Sequence, residues 1–279
     1  SVWWPFVVRR GPVERSRGIP YGPHPQQLLD VYRPRAASSG AAPVLVQLHG
    51  GGWVAGSRDD QALPLIYHLV PRGWIVVAAD YRLSPAARFP EALIDAKRVI
   101  AWVRAQAAEL GADPGFVAIT GGSSGAHLAA LVALTAGRAA LQPGFEAADT
   151  SVQGCVPHYG VYDFPDRLGL RRDRGAMRDW LARTVMPAGA ADELWDLASP
   201  LVQVHAQAPP FFVLHGDHDS LAKVEEARAF VAALRGTSRA AVVYGELAGA
   251  QHAWDLWHSP RCDAGVRAVT TFLEWARVP

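Results

Sequence analysis

AITGGSSGAH, residues 118–127, is the stretch that decides the fold of this chain. A short apolar run precedes it and an alanine- and leucine-rich run follows it. Glycines and small residues between a strand pattern and a helix pattern predict a sharp strand-to-helix turn. Such a turn presents a nucleophilic serine in some proteins and binds phosphate through its backbone in others. The remainder of the chain has to supply the partners that distinguish these two interpretations.

Apolar strands and helices alternate on both sides of this turn. Near-continuous apolar runs predict strands at 28–33, 44–49, 74–81, 116–120, 154–162, 210–215 and 240–247. Helical spacing predicts helices at about 60–71, 90–110, 124–136, 223–235 and 262–277. Unbroken apolar strands separated by helices are typical of a parallel sheet covered on both faces. We therefore expect an α/β fold with a mostly parallel central sheet and its site at the carboxyl ends of the strands.

The alternation breaks between residues 163 and 200. This segment is charged, contains Trp180 and Trp195, and predicts one or two short helices. We interpret residues 1–279 as a single domain, with 163–200 as an insertion after the sixth strand when an edge strand near the N-terminus is counted. An insertion over the strand ends of such a sheet is a candidate lid.

Composition excludes several classes of function. The 279 residues include 27 basic and 26 acidic side chains, a net charge of +1, which argues against a nucleic-acid surface. Cys155 and Cys262 have no metal-ligand spacing, and two buried thiols are favoured over a disulfide. We expect no metal and no organic cofactor.

The first ten residues, SVWWPFVVRR, form an apolar stretch that ends in two arginines. They fit either the end of a membrane-proximal segment or the approach to an edge strand, and we favour the second. The chain has no run of 18 apolar residues. Both a cytoplasmic and a cell-envelope location fit these features, and ten tryptophans are compatible with a peripheral contact with lipid.

A serine nucleophile fits the central turn best at Ser123. GGSSG, starting at Gly121, matches G-x-S-x-G with Ser123 in the middle, whereas the alternative frame puts Ala126 where the last glycine belongs. The glycine-rich stretch LHGGGW, residues 48–53, follows a predicted strand and leaves N–H groups free. Such a loop forms one half of an oxyanion hole. The predicted oxyanion donors are the N–H groups of Gly51, Gly52 and Ser124.

A serine nucleophile also needs a base and an acid, expected in the order serine, acid, histidine. His252 and His258 both follow the last predicted strand, and His252 is favoured because it lies in the small-residue loop directly after it. The acid is expected after the strand at 210–215, where Asp217 and Asp219 are both available. Their spacing does not distinguish them.

Together these motifs resemble the α/β-hydrolase carboxylesterases and lipases of the hormone-sensitive-lipase-like group. The resemblance extends over about residues 28–277 and rests on HGGGW, DYRLSP (80–85), GGSSGAHLA (121–129), GDHDSL (216–221) and AQHAWD (250–255). It implies that Asp219 is the acid, through the family's D-x-L pattern. Gly122 stands where the family has an acidic residue, and Ser124 where it has alanine.

The resemblance implies a serine carboxylesterase that hydrolyses short- to medium-chain esters, small molecules, through an acyl-enzyme intermediate. Trp53 and Trp254 flank the site in sequence and are expected to bind an apolar part of the substrate, although core packing explains them equally well. One alternative is an amidase of the arylformamidase type on the same fold. Another is a non-catalytic binding module.

Overall fold

The computed structural model describes residues 13–35, 40–171 and 173–278. An eight-stranded sheet lies at its centre, in the spatial order β1-β2-β4-β3-β5-β6-β7-β8. The strands are β1 Val13–Pro20, β2 Leu28–Pro34, β3 Ala42–Leu48, β4 Ile75–Ala79, β5 Ala112–Gly122, β6 Gly154–His158, β7 Phe211–Gly216 and β8 Val242–Leu247. Strands β3 to β8 run parallel, and β1 and β2 pair antiparallel at one edge. The prediction of a mostly parallel sheet is confirmed.

Helices cover both faces of this sheet, as the alternating sequence predicts. They are α1 Leu63–Leu69, α2 Glu91–Ala105, α3 Ala107–Leu110, α4 Ser124–Leu134, α5 Ala176–Thr184, α6 Asp192–Leu197, α7 Val224–Thr237 and α8 Pro260–Ala276. Because successive side chains of a strand point to opposite faces, β3 contributes to two separate cores. Val44 and Val46 pack in the core that includes side chains of α2, α4 and α7, and Leu45 packs in the core under α1 and α8.

The parallel strands carry four loops to one edge of the sheet. Adjacent β3 and β5 are in register, with Leu48 opposite Gly121, so the glycine loop and the serine turn start side by side. β7 and β8 are adjacent further along the sheet and lead into the segments with the candidate acid and histidine. The topology therefore brings residues more than 200 positions apart to one place.

Segment 163–200 contains two short helices, α5 and α6, and is fastened to the main body. The buried guanidinium of Arg171 donates from Nε to Glu226 Oε1 of α7 at 2.6 Å. Arg88 donates to the carbonyl of Met186 at 2.6 Å. Leu181 of α5 and Trp195 of α6 are buried and belong to the same apolar core as Val44 and Val46. The segment is therefore packed onto the main core of the protein.

Cys155 and Cys262 are both buried and free, as the sequence favours. The apolar stretch at 1–10 lies outside the described residues, and the first described element is the edge strand β1. Among residues 13–35, 40–171 and 173–278, none of the helices combines the length and apolar character needed to cross a bilayer.

Candidate active site

The turn at Ser123 is a strained backbone held by glycines. Ser123 has φ 57° and ψ −120°, between the end of β5 and the start of α4. A Cβ on Gly121 would lie 2.5 Å from the carbonyl carbon of Gly125, and a Cβ on Gly125 would lie 2.2 Å from the carbonyl oxygen of Leu48. Only glycine fits at these two positions. The close packing they allow makes the sharp turn between β5 and α4 possible, with Ser123 at that turn.

Ser123, His252 and Asp219 form a continuous hydrogen-bonded line. His252 Nε2 lies 2.9 Å from Ser123 Oγ, and His252 Nδ1 lies 2.7 Å from Asp219 Oδ2. An ionised carboxylate only accepts hydrogen bonds, so Nδ1 carries the proton and Nε2 is free to accept one from the serine hydroxyl. The other candidate, His258, lies 3.5 Å from Asp263 near the start of α8 and is not part of this line.

Asp219 is buried and ionised. Burial alone would raise its pKa, but hydrogen bonds from His215 and His252 outweigh that effect and hold the pKa well below its ordinary value. The N–H groups of Leu221 and Ala222 also donate to Oδ1, each at 2.9 Å. Its charge is therefore fixed beside the imidazole.

Asp217 has a different position, although it is only two residues away. Its Oδ1 accepts a hydrogen bond from the N–H of Gly249 at 2.6 Å, on the exposed side of the loop. The bond joins the loops after β7 and β8. Of the two aspartates that spacing does not distinguish, the structure places Asp219 against His252.

The glycine loop passes directly beside the serine. A Cβ on Gly50 would lie 3.2 Å from the Cβ of Ser123. Gly51 and Gly52 have φ of 124° and 61°, which glycine tolerates best. In the described part of the chain no protein group accepts a hydrogen bond from their N–H groups. Ser124 is the first residue of α4, and its N–H has no partner within the helix.

His49 and Tyr81 brace this loop from below. His49 Nδ1 donates to the carbonyl of Gly50 at 2.7 Å, and its ring stacks on Tyr81 at 4.3 Å between centroids. The hydroxyl of Tyr81 donates to the carbonyl of His49 at 2.9 Å. The aspartate of the DYRLSP motif, Asp80, accepts a hydrogen bond from the N–H of Arg58, which follows the three glycines in the connection between β3 and α1. This second motif therefore supports the glycine loop.

A cavity of about 650 Å³ opens beside the serine and is lined mainly by apolar atoms. Ser123, His252 and the glycine loop form one wall. The side of α5 that carries Ala176, Met177 and Trp180 forms another. A Cβ on Gly52 would lie 3.5 Å from the Trp180 ring, so α5 packs close to the glycine loop.

The two tryptophans expected to bind substrate have different surroundings. Trp53 lines the cavity, and its indole N–H donates to Nδ1 of the buried His127 at 3.2 Å. Trp254 is not among the residues that line the cavity. Its ring stacks on His158 and occupies the space that a side chain at Gly265 of α8 would need. The structure thus brings only Trp53 to the cavity.

Tyr159 and Asp255 are site residues that sequence reasoning missed. The Tyr159 ring lies 4.7 Å from the His252 ring, centroid to centroid, and its hydroxyl donates to Asp255 Oδ1. His158 Nδ1 donates to Asp255 Oδ2 at 2.7 Å. The sequence does contain a signal for Asp255, because this aspartate ends the AQHAWD motif and has no role among the residues predicted from the sequence. Within the described ranges, no cluster of three or more His, Cys, Asp or Glu side chains could hold a metal ion.

Comparisons with known proteins identify the family of this chain. A family model described as BD-FAE matches residues 29–234. The chain is 47% identical to esterase LipQ of Mycobacterium tuberculosis, over 93% of its own length and 62% of that protein. It is 40% identical to esterase LipC of the same organism, over 98% of its length and 70% of that protein. The chain therefore spans less than two thirds of LipQ.

Solved structures show the same fold. A thermophilic esterase from Thermogutta terrifontis, in a propionate-bound form, aligns with a TM-score of 0.77 and 25% identity over 98% of both chains. The α/β-hydrolase fold expected from the motifs is confirmed, and the relatives are named esterases. The chain belongs to the BD-FAE family and to the hormone-sensitive-lipase-like α/β hydrolases that its motifs resemble.

Proposed function

We propose that this protein is a serine carboxylesterase acting on short- to medium-chain esters. The observation that carries the proposal is the line Ser123–His252–Asp219, with separations of 2.9 and 2.7 Å, opening into an apolar cavity. A serine hydroxyl is a weak nucleophile unless a base takes its proton and a third group orients that base. All three groups are present here, and we assign Ser123 as the nucleophile, His252 as the base and Asp219 as the acid that orients it.

In the proposed reaction Ser123 Oγ attacks the ester carbonyl carbon while His252 Nε2 takes the hydroxyl proton. Asp219 holds the proton on Nδ1 and stabilises the imidazolium that forms. The tetrahedral intermediate collapses, and His252 gives its proton to the leaving alkoxide. Water, deprotonated by the same imidazole, then attacks the acyl-serine and releases the acid.

The oxyanion of each tetrahedral intermediate is assigned to the N–H groups of Gly51, Gly52 and Ser124. Each is a fixed backbone donor close to Ser123, so no reorganisation is needed when charge develops. Losing one such donor typically costs about 3 kcal/mol, or roughly 100-fold in kcat.

The substrate preference is proposed from the cavity. Its walls are mainly apolar, and a volume of about 650 Å³ is typical of small-molecule sites. The structural relative with propionate bound supports a short acid as the product type. We also propose that segment 163–200 acts as a lid, because its helix α5 forms one wall of this cavity.

The first test is hydrolysis of p-nitrophenyl esters from acetate to palmitate by the protein and by Ser123→Ala. We expect a maximum at short to medium chains and a loss of at least about 10⁴-fold in the variant. Activity that survives the substitution would overturn the assignment of Ser123. A p-nitroanilide series run in parallel distinguishes an amidase, and a serine-directed phosphonate that fails to label Ser123 would indicate a non-catalytic module.

A further inference from the structure

A second hydrogen-bonded group lies beside the candidate histidine and consists of Tyr159, His158 and Asp255. Asp255 follows His252 by three residues in the same loop, and its side chain is only 14% exposed. It receives hydrogen bonds from Tyr159 and from His158 Nδ1, the latter at 2.7 Å. Tyr159 and His158 are themselves buried, with 3% and 5% exposure.

The Tyr159 ring lies against His252 on one side and against Gly122, the neighbour of Ser123, on the other. Its centroid lies 4.7 Å from that of His252, with the planes at 62°. A Cβ on Gly122, the residue just before Ser123, would lie 2.5 Å from the Tyr159 hydroxyl. The ring therefore fills the space that the missing side chain at Gly122 leaves. Tyr159 also has φ 41°, which a bulky residue adopts only when its surroundings impose it.

The protonation states in this group are defined by the hydrogen bonds. Burial, together with the neighbouring Asp255 charge, raises the pKa of Tyr159 well above its ordinary value, so its hydroxyl keeps the proton and donates it. Burial opposes ionisation of Asp255, but hydrogen bonds and charge from His158 outweigh it and lower its pKa. The ionised carboxylate of Asp255 therefore accepts a hydrogen bond from the Tyr159 hydroxyl and holds the Tyr159 ring in place.

We propose that Tyr159, anchored by Asp255, is a positioning residue that holds the His252 ring in line with Ser123. The proposal rests on the esterase function proposed above and adds to it. Asp219 fixes one nitrogen of His252 through a single bond, about which the ring can still tilt. The Tyr159 ring packs on the imidazole and limits that tilt. Misplacement of a reacting group by about 1 Å costs on the order of 100-fold in rate.

Tyr159→Phe tests the anchor because it removes only the hydroxyl, and Asp255→Asn removes the charge from the other end. We expect either variant to lower kcat for p-nitrophenyl butyrate by about tenfold and to change KM by less than about twofold. The double variant should be no worse than the single ones, since both remove one interaction. Tyr32→Phe is the matched control, because Tyr32 is a buried tyrosine on β2 whose hydroxyl has no partner among the described residues.

Two further measurements keep a structural role separate from a positioning role. Thermal unfolding of each variant reports stability, and the second-order rate of inactivation by a serine-directed phosphonate reports the Ser123–His252 pair without ester turnover. Slower inactivation in Tyr159→Phe than in Tyr32→Phe, at similar melting temperatures, would support the proposal. Wild-type kcat and inactivation rate in Tyr159→Phe would overturn it, whatever the melting temperature.

The same assays distinguish failure of this inference from failure of the proposed function. A wild-type protein that is labelled by the phosphonate but hydrolyses no ester would contradict the esterase assignment, and the inactivation rates would still decide the role of Tyr159. A wild-type protein that is neither labelled nor active would overturn both.

Discussion

At the scale of single residues, Asp217 and Asp219 show how position decides chemistry. Both follow β7, yet one carboxylate accepts a hydrogen bond from a loop N–H and the other from the imidazole of His252. No property of the local sequence distinguishes them, since the deciding partner is 33 residues away. The resemblance to a known family pointed to Asp219, and the geometry gives the physical reason.

This difference makes a paired prediction. Asp219→Asn keeps the shape but removes the charge and favours the wrong imidazole tautomer, so kcat should fall by about 10⁴-fold. Asp217→Asn changes a carboxylate that has no contact with His252 and should leave kcat within about threefold of wild type. Steady-state kinetics on p-nitrophenyl butyrate measures both. Equal losses in the two variants would contradict the assignment of the acid.

At the scale of elements, the sequence predicts the strands well and their ends less well. Continuous apolar runs identify buried strands because both faces of this sheet are covered. The strand expected at 154–162 ends at His158, because the backbone turns at Tyr159. The helix expected at 90–110 is divided at Gln106 into α2 and α3. The Tyr159–Asp255 contact joins residues 96 positions apart, so no local pattern carries it.

Helix α5 is the element expected to select the acyl chain. Trp180 lines the cavity, and its loss should weaken binding of long chains more than short ones. If its ring covers roughly 50 Å² of an octanoyl chain, Trp180→Ala costs about 1.3 kcal/mol, close to tenfold in KM. We expect KM for the acetate ester to change little. Arg183→Ala, an exposed position on the same helix, is the control.

Michaelis constants for p-nitrophenyl acetate and octanoate in wild type, Trp180→Ala and Arg183→Ala check this expectation. An equal rise in KM for both esters in Trp180→Ala would mean that the helix has shifted as a whole. An unchanged KM for octanoate would place the acyl chain against a different wall of the cavity.

At the scale of the whole molecule, His127 joins three parts of the chain. It lies in α4, its Nδ1 accepts from Trp53 of the glycine loop, and its Nε2 donates to the carbonyl of Ala198 in segment 163–200 at 2.7 Å. Burial lowers the pKa of His127 to about 4, because a charged ring would be desolvated and would lose the Trp53 bond. His127 is therefore neutral in the folded protein at pH values above about 4.

This pKa gives stability a defined dependence on pH. Between pH about 6.5 and about 4 the unfolded chain binds a proton at His127 that the folded chain does not, so the free energy of unfolding falls as pH falls through that window. Below pH about 4 both the folded and the unfolded chain bind this proton, so His127 lowers the free energy of unfolding no further. The full loss is up to about 3 kcal/mol, of which roughly 2 kcal/mol lies between pH 6.5 and pH 5.

Urea unfolding at pH 7 and pH 5 measures this effect in wild type and in His127→Gln. The variant is expected to be less stable at pH 7, since it loses packing and a hydrogen bond. Between pH 7 and pH 5, however, its free energy of unfolding should fall by about 2 kcal/mol less than that of wild type. Identical pH slopes in the two proteins would show that His127 does not carry the dependence.

The glycine contacts at the serine turn also bear on how this scaffold can diversify. Gly121 and Gly125 lie against backbone atoms, Gly125 against the carbonyl of Leu48. The turn at Ser123 and the glycine loop therefore form one unit that tolerates almost no change in side-chain volume at these glycines. The wall opposite is made by side chains of α5, a separate stretch of chain. Substitutions on α5 are therefore expected to reshape the cavity while the turn at Ser123 stays unchanged, so the two parts of this pocket can vary independently in evolution.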